Sequence, residues 1–229
     1  MIILFVGDIH CAQFSAIGNN LSEIELKGLP KPEAIFLLGD VGFYGSCFKY
    51  YVDGVAKYDY PQTWFIDGNH EDHEYLDDLL KNWKVKNLTY IKRGTTVEVG
   101  GTKVLGIGGA KSADMSLCRD IADEDIEQAM SQGMPDIIIS HECPAGIGIH
   151  GSAFVFNKDS TLPVMPGDLR LTKVMEYHKP KFWFFGHHHV WFETRIGNTK
   201  LVGLPEGQNG SLLFDTETMD YCSIYLNRR

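Results

Sequence analysis

A chain of 229 residues, 44% hydrophobic and 12% aromatic, is long enough to bury a full core and is read as one domain over residues 1–229. Its formal net charge of -9 excludes a long, sequence-independent grip on a nucleic-acid backbone, which clustered Lys and Arg supply, but leaves a nucleotide or short nucleic acid open as a ligand. No apolar run approaches bilayer length, residues 1–6 meet Gly7-Asp8 too soon for a signal peptide, and the five cysteines form no Cys-x-x-Cys pair, so a cytoplasmic protein without a membrane partner, a disulfide framework or a cysteine zinc knot is expected.

In chain order, the apolar run 4–6 empties into Asp8-Ile9-His10 and predicts a first buried strand. Residues 14–27 follow with a weak helical pattern closed by Gly28. The run 35–38 ends at Gly39-Asp40, residues 48–57 carry a helical pattern, and 64–66 end at Asp67-Gly68-Asn69-His70. Residues 72–84 predict a helix with acids in its first turn, where they complement the helix dipole. Residues 95–99 and 102–107, split by Gly100-Gly101, predict a hairpin. A further helix is expected over 123–132, stopped by Gly133, and the run 137–139 leads into Ser140-His141. Residues 143–167, rich in Gly and Pro, have no clear period, and loops of that length more often carry function than not. Residues 168–178 predict a last helix, ended by Pro180, before the apolar run 182–185 opens into Gly186-His187-His188-His189. Beyond it, 191–196 with 200–202, and 212–214 with 221–226, flank polar turns and predict antiparallel pairs, so the sheet is mixed.

Five apolar strands thus deliver His, Asp and Asn at their carboxyl ends, where open α/β sheets build their sites. One Asp-x-His arises often by chance; five such strand ends do not. Carboxylate, imidazole and amide oxygen together suit manganese, iron or zinc, whereas an all-oxygen set suits magnesium or calcium.

The succession Asp8-Ile9-His10, Gly39-Asp40, Gly68-Asn69-His70-Glu71, Ser140-His141 and Gly186-His187-His188-His189 resembles the calcineurin-like metallophosphoesterases, in that family's order and over nearly the whole chain. The resemblance implies an α/β fold, a four-layer α/β/β/α sandwich with mixed sheets, and metal-dependent hydrolysis of a phosphoester. It implies that Asp8, His10 and His189 hold one metal ion, that Asn69, His141 and His187 hold the other, and that Asp40 bridges them. The cofactors are then two divalent or trivalent ions of manganese, iron or zinc, with a shared hydroxide as nucleophile. Physics agrees with a bridge, because cations about 3.5 to 4 Å apart repel and a shared carboxylate offsets that. For His70 the resemblance implies the non-ligand histidine that faces substrate and protonates or stabilises the leaving oxygen. If 186–189 is extended, alternation turns His187 and His189 to the metals and His188 away. His73, on a helix face, and His178, at a helix carboxyl end, read as structural.

One departure narrows the substrate. Protein phosphatases of this family carry Gly-Asp-x-x-Asp-Arg-Gly in the second motif, whereas this chain reads Gly39-Asp40-Val41-Gly42-Phe43-Tyr44-Gly45. Phe43 and Tyr44 replace the second Asp and the Arg, so a bidentate phosphate clamp is missing there. A monoester dianion loses a partner, which favours a phosphodiester over a phosphomonoester of a small molecule or phosphoprotein; a non-catalytic metal-binding scaffold is the third reading. Residues 65–71 and 140–144 are also similar to the corresponding motifs of RNA lariat debranching enzymes. Those enzymes carry Cys in the first motif where this chain has Asp8, so the likeness is to the wider family. Candidate substrate contacts are Tyr44, Lys111 and Arg119 after the glycine-rich turn 106–109, and His150 in the long loop, where Phe154 and Phe156 either fill the core or pack against a base. Cys11 and Cys143 each fall within two residues of a candidate ligand.

Overall fold

The computed structural model of the chain describes residues 1–10, 15–42, 54, 59–82, 87–110, 120–149 and 166–226. Among them the strands are β1 (Ile2–Val6), β2 (Ala34–Leu38), β3 (Gln62–Ile66), β4 (Leu88–Tyr90), β5 (Thr95–Val99), β6 (Thr102–Ile107), β7 (Ile137–Ser140), β8 (Phe182–Phe185), β9 (Phe192–Ile196), β10 (Thr199–Gly203), β11 (Gly210–Asp215) and β12 (Asp220–Tyr225). The helices are α1 (Ser15–Leu26), α2 (His73–Asn82), α3 (Asp123–Met130) and α4 (Leu169–His178). One sheet runs β12-β11-β1-β2-β3-β4 and the other β5-β6-β7-β8-β10-β9. Both are mixed: β1, β2 and β3 are parallel, as are β6, β7 and β8, while β11 and β5 pair antiparallel with β1 and β6.

The strands read as unbroken apolar runs because both faces of each sheet are covered. The pleat sends Leu4, Val6, Ile35, Leu37 and Phe65 outward onto Ile17 and Ile24 of α1 and Leu76 of α2. Their neighbours Ile3, Phe5, Phe36, Leu38 and Ile66 turn inward to meet Ile137, Ile139, Phe184 and Val202 of the second sheet. On the far side Ile138, Trp183, Phe185 and Leu201 pack against Ala129 of α3 and Leu171 and Val174 of α4. Three apolar layers therefore separate helix, sheet, sheet and helix, giving the four-layer α/β/β/α sandwich expected from the sequence.

Aromatic rings hold the middle layer. The Phe5 ring lies 4.6 Å from Phe184 and 5.3 Å from Phe36, which stacks on Trp64 at 5.3 Å. Phe184→Ala is expected to cost about 3–5 kcal/mol, the transfer loss plus an unfilled cavity between the sheets. Urea unfolding checks this; a loss below about 1 kcal/mol would match a surface change instead.

Element ends follow local chemistry. The last helix starts one residue later than expected because Asp168 caps it, its side chain accepting from the Arg170 N–H. Asp72 accepts from the Tyr75 N–H at the start of α2 in the same way. The hairpin has both expected spans, 95–99 and 102–107. The three-residue β4, parallel to β3, carries no sequence period and was not expected. The helical pattern at 48–57 falls outside the described residues except at Gly54. No helix among the described residues is long and apolar enough to cross a membrane.

Candidate metal centre

The carboxyl ends of β1, β2 and β3 in one sheet and of β7 and β8 in the other open toward one another. Backbone bonds fix this approach: Ile9 and His10 donate their N–H groups to the Asp40 carbonyl at 3.1 and 2.8 Å. Across the sheets, His141 Nδ1 donates to the Leu38 carbonyl at 2.8 Å, and the His187 N–H meets both oxygens of Asp8 at 3.1 and 3.0 Å. Glycine lets the strand ends close, because a Cβ at Gly68 would collide with Asp40 Oδ1 and His141 Nε2, and one at Gly186 would lie 2.6 Å from Asp8 Oδ2.

Two clusters result. Asp8, His10 and His189 offer donor atoms all within 4.8 Å of one another, as do Asp40, His141 and His187. In the first, His189 Nε2 lies 3.2 Å from His10 Nε2 and 3.3 Å from Asp8 Oδ1. In the second, His141 Nε2 lies 3.3 Å from Asp40 Oδ1 and 3.1 Å from Asn69 Oδ1. Asp40 stands between them, with Oδ1 toward His141 and Oδ2 3.9 Å from His10 Nε2 of the first cluster. The His70 N–H donates to Asp40 Oδ1 at 2.8 Å, while the exposed His70 side chain stands at the rim with its ring 5.6 Å from that of His10.

The extended conformation expected for 186–189 is not what the structure has, although His187 and His189 do fall in the two clusters and His188 does not. His187 and His189 have φ of 64° and 55°, so the segment is a tight turn in the left-handed region and not an extended strand. His10 and Asp40 are also left-handed, at 45° and 46°, so four of the eight positive-φ non-glycine residues described are candidate ligands. Such backbone costs about 1–3 kcal/mol per residue and clusters at functional sites.

Electrostatics fit a cationic ligand. Burial opposes charge on His141, yet Asp40 beside it pushes it up to about 10. Burial also works against ionised Asp40 and Asp8, but the neighbouring histidines hold both below the usual carboxylate range. Burial carries His187 down to about 4, leaving a neutral imidazole free to donate a lone pair. Buried carboxylates need a countercharge, which a metal ion bound here would supply in place of the proton on His141. The donor set is mixed nitrogen and oxygen, as manganese, iron and zinc prefer.

Two partners of this centre, Glu71 and Asp67, stand in the motifs read from the sequence but have no role assigned there. Glu71 is buried and accepts from the N–H groups of Val41 at 2.6 Å, Gly42 at 3.3 Å and Gly68 at 2.8 Å, clamping the second motif to the third. Burial, then Asp40 and Asp67, raise its carboxyl to about 8. Asp67 is buried against Arg93, whose Nε lies 3.0 Å from Oδ2, and against the Tyr90 hydroxyl at 2.9 Å. Arg93→Ala leaves Asp67 as an uncompensated buried charge and is expected to cost about 3–5 kcal/mol. A cost within about 0.5 kcal/mol of zero in chemical unfolding would mean that the pair acts as a surface contact.

A third group, Glu142, Cys143 and His188, also brings its donor atoms within 4.8 Å. His188 Nε2 donates to Glu142 Oε1 at 2.8 Å and lies 3.2 Å from Cys143 Sγ. Its Nδ1 is buried without a hydrogen-bond partner among the described residues. An ion at Nε2 would force the proton onto Nδ1, where no described residue accepts it, whereas ligating histidines nearly always donate their outer N–H. Burial, then Glu142, also push the Cys143 thiol up, so it stays protonated. This group is a hydrogen-bonded cluster behind the centre. Tyr44, Lys111, Arg119 and His150, with Cys11, Phe43, Phe154 and Phe156, fall outside the described residues. His178 is buried and donates from Nε2 to the Ala129 carbonyl at 2.9 Å, a structural tie between α4 and α3.

The chain is similar to lariat debranching enzymes: 29% identical over 176 residues to that of Schizosaccharomyces pombe, covering 66% of this chain and 38% of the relative, and 27% identical to that of Drosophila melanogaster, covering 81% and 37%. The enzyme of Entamoeba histolytica is 26% identical, over 88% of this chain and 59% of the relative. The chain thus spans about two fifths to three fifths of the length of these relatives. Among solved structures it shares its fold with a protein of Thermus thermophilus at a TM-score of 0.64, with 14% identity and 98% of both chains covered. An archaeal phosphodiesterase superposes at 0.50, with 14% identity over 99% of this chain and 100% of the other. The model of the calcineurin-like phosphoesterase family matches residues 1–191, through all five strand ends that build the centre, and the chain belongs to that family.

Proposed function

We propose that the chain, acting as one domain over residues 1–229, hydrolyses phosphodiesters with two transition-metal ions drawn from manganese, iron and zinc. Asp8, His10 and His189 would hold one ion, Asn69, His141 and His187 the other, and Asp40 both. The observation that carries this reading is the Asp40 carboxylate, which turns one oxygen toward each cluster. When bound, such a pair of ions lowers the pKa of water and neutralises charge gathering on phosphoryl oxygens. The chain's own residues do the rest. Asp40 is held in place by the His70 N–H, and Glu71 fixes the loops of the second and third motifs around it. His70, exposed at the rim, meets the leaving oxygen and gives it a proton from the ring.

Three features support a diester. Phe43 and Tyr44 stand in the second motif where a phosphatase carries Asp and Arg. Arg93 is bound to Asp67, and Arg170 is bound to Asp168 through Nε at 3.1 Å, so these guanidiniums serve the framework. The similar curated enzymes are debranching enzymes, which supports a nucleotide or short nucleic acid as the substrate class. Two bound cations give the site mouth a positive field despite the net charge of -9.

Catalytic efficiency on bis(4-nitrophenyl) phosphate is therefore expected to exceed that on 4-nitrophenyl phosphate. Substitution of Tyr44 should shift this ratio while metal content, read by elemental analysis, stays constant. Preference for the monoester would promote a phosphomonoesterase, and metal uptake without hydrolysis of either substrate would leave a scaffold.

A further inference from the structure

The histidines of the two clusters have an outer ring nitrogen as well as an inner one, and the groups facing the outer nitrogens follow a pattern. His141 donates its outer Nδ1–H to the Leu38 carbonyl. Glu142 Oε2 lies 3.6 Å from His187 Nε2, and Glu206 Oε1 lies 3.9 Å from His189 Nδ1, the ring nitrogen other than the one near His10 and Asp8. Both carboxylates are themselves anchored. Glu142 is 7% exposed and accepts at Oε1 from His188 Nε2 and from the Cys143 N–H at 2.8 Å each, which leaves Oε2 directed to His187. Beneath it, Trp183 Nε1 donates to Ser140 Oγ at 2.7 Å and Ser140 Oγ donates to the Glu142 carbonyl at 2.5 Å. Glu206 Oε2 accepts from Gln208 and Asn209 side chains at 3.2 Å each, on a loop whose Gly207 N–H donates to the Asp8 carbonyl at 2.8 Å. One carboxylate therefore backs a histidine of each cluster.

We propose that Glu142 and Glu206 are the positioning carboxylates of the two metal positions: they lie 3.6 Å from His187 Nε2 and 3.9 Å from His189 Nδ1, beyond hydrogen-bond length, and close on these nitrogens when ions are held at His187 Nδ1 and His189 Nε2. The inference rests on the two-metal reading above. Outer acceptors of this kind fix the tautomer and ring orientation of a ligand and raise its basicity, and losing one costs about 10- to 100-fold in metal affinity. The pattern also explains the orphaned Nδ1 of His188, whose proton sits on Nε2 to hold Glu142 in place.

The test is zinc binding by the metal-free chain, measured by competition with a chromogenic chelator, with folding followed by circular dichroism. Wild type should show two steps; Glu142→Gln should weaken one by about 10- to 100-fold, and Glu206→Gln the other. In a His187→Ala background Glu142→Gln should have no further effect, while in a His189→Ala background it should keep its effect; Glu206→Gln should show the reverse. A merely structural role does not produce that crossed pattern. Independently of any variant, nitrogen–proton correlation spectra of the zinc-loaded wild type should place the His187 proton on Nε2 and the His189 proton on Nδ1. Opposite tautomers, variants that weaken the same step, or two wild-type steps untouched by Glu142→Gln and Glu206→Gln would overturn the inference alone. A wild-type chain that takes up neither zinc nor manganese nor iron would end the two-metal reading itself.

Discussion

Asp40→Asn is expected to reduce hydrolysis to the background rate. The substitution keeps shape and the backbone bonds, since the Asp40 carbonyl still accepts from Ile9 and His10. It removes an anion whose two oxygens face different clusters. The two ions of the proposed centre, about 3.5 to 4 Å apart, would lose their shared countercharge, so at least one is expected to leave. His141→Ala and His189→Ala are expected to act alike, each by deleting a donor from one cluster. Phosphodiester turnover measured beside metal content by elemental analysis checks the set. Full activity in Asp40→Asn with unchanged metal content would remove the bridging assignment.

His70→Ala separates chemistry from metal holding. The tie between this residue and Asp40 runs through the backbone N–H, so alanine preserves it. The exposed ring lies beside His10 at the rim, and losing the proposed general acid there is expected to lower turnover by about 10²- to 10⁴-fold with metal content unchanged. The loss should shrink as the leaving group improves, since a good leaving group needs little protonation. A variant that loses metal, or that is impaired equally on good and poor leaving groups, would make His70 a ligand or a structural residue.

The strands that carry these residues were legible because burial on both faces writes β1, β2, β7 and β8 as continuous apolar runs, each stopped by a polar motif. The hairpin of β5 and β6 was legible through its glycine pair. What the sequence could not carry was contact between distant elements. Glu142 meets His188 across 46 positions, and Arg93 meets Asp67 across 26, with neither spacing periodic. A buried acid next to a candidate histidine, as at Glu71 or Glu142, looks like a solvated one until the fold encloses it. The turn at His187 and His189 was misread because polar residues after a strand give no sign of left-handed backbone.

Side chains from two sheets come together in one centre, which is proposed to work only with two metal ions. The most direct test of that proposal is to add manganese or zinc to the metal-free chain in fractional equivalents while following hydrolysis of bis(4-nitrophenyl) phosphate. Activity is expected to appear with the second equivalent and to level off at two ions per chain. Full activity without added metal, or a plateau at one ion per chain, would contradict the account.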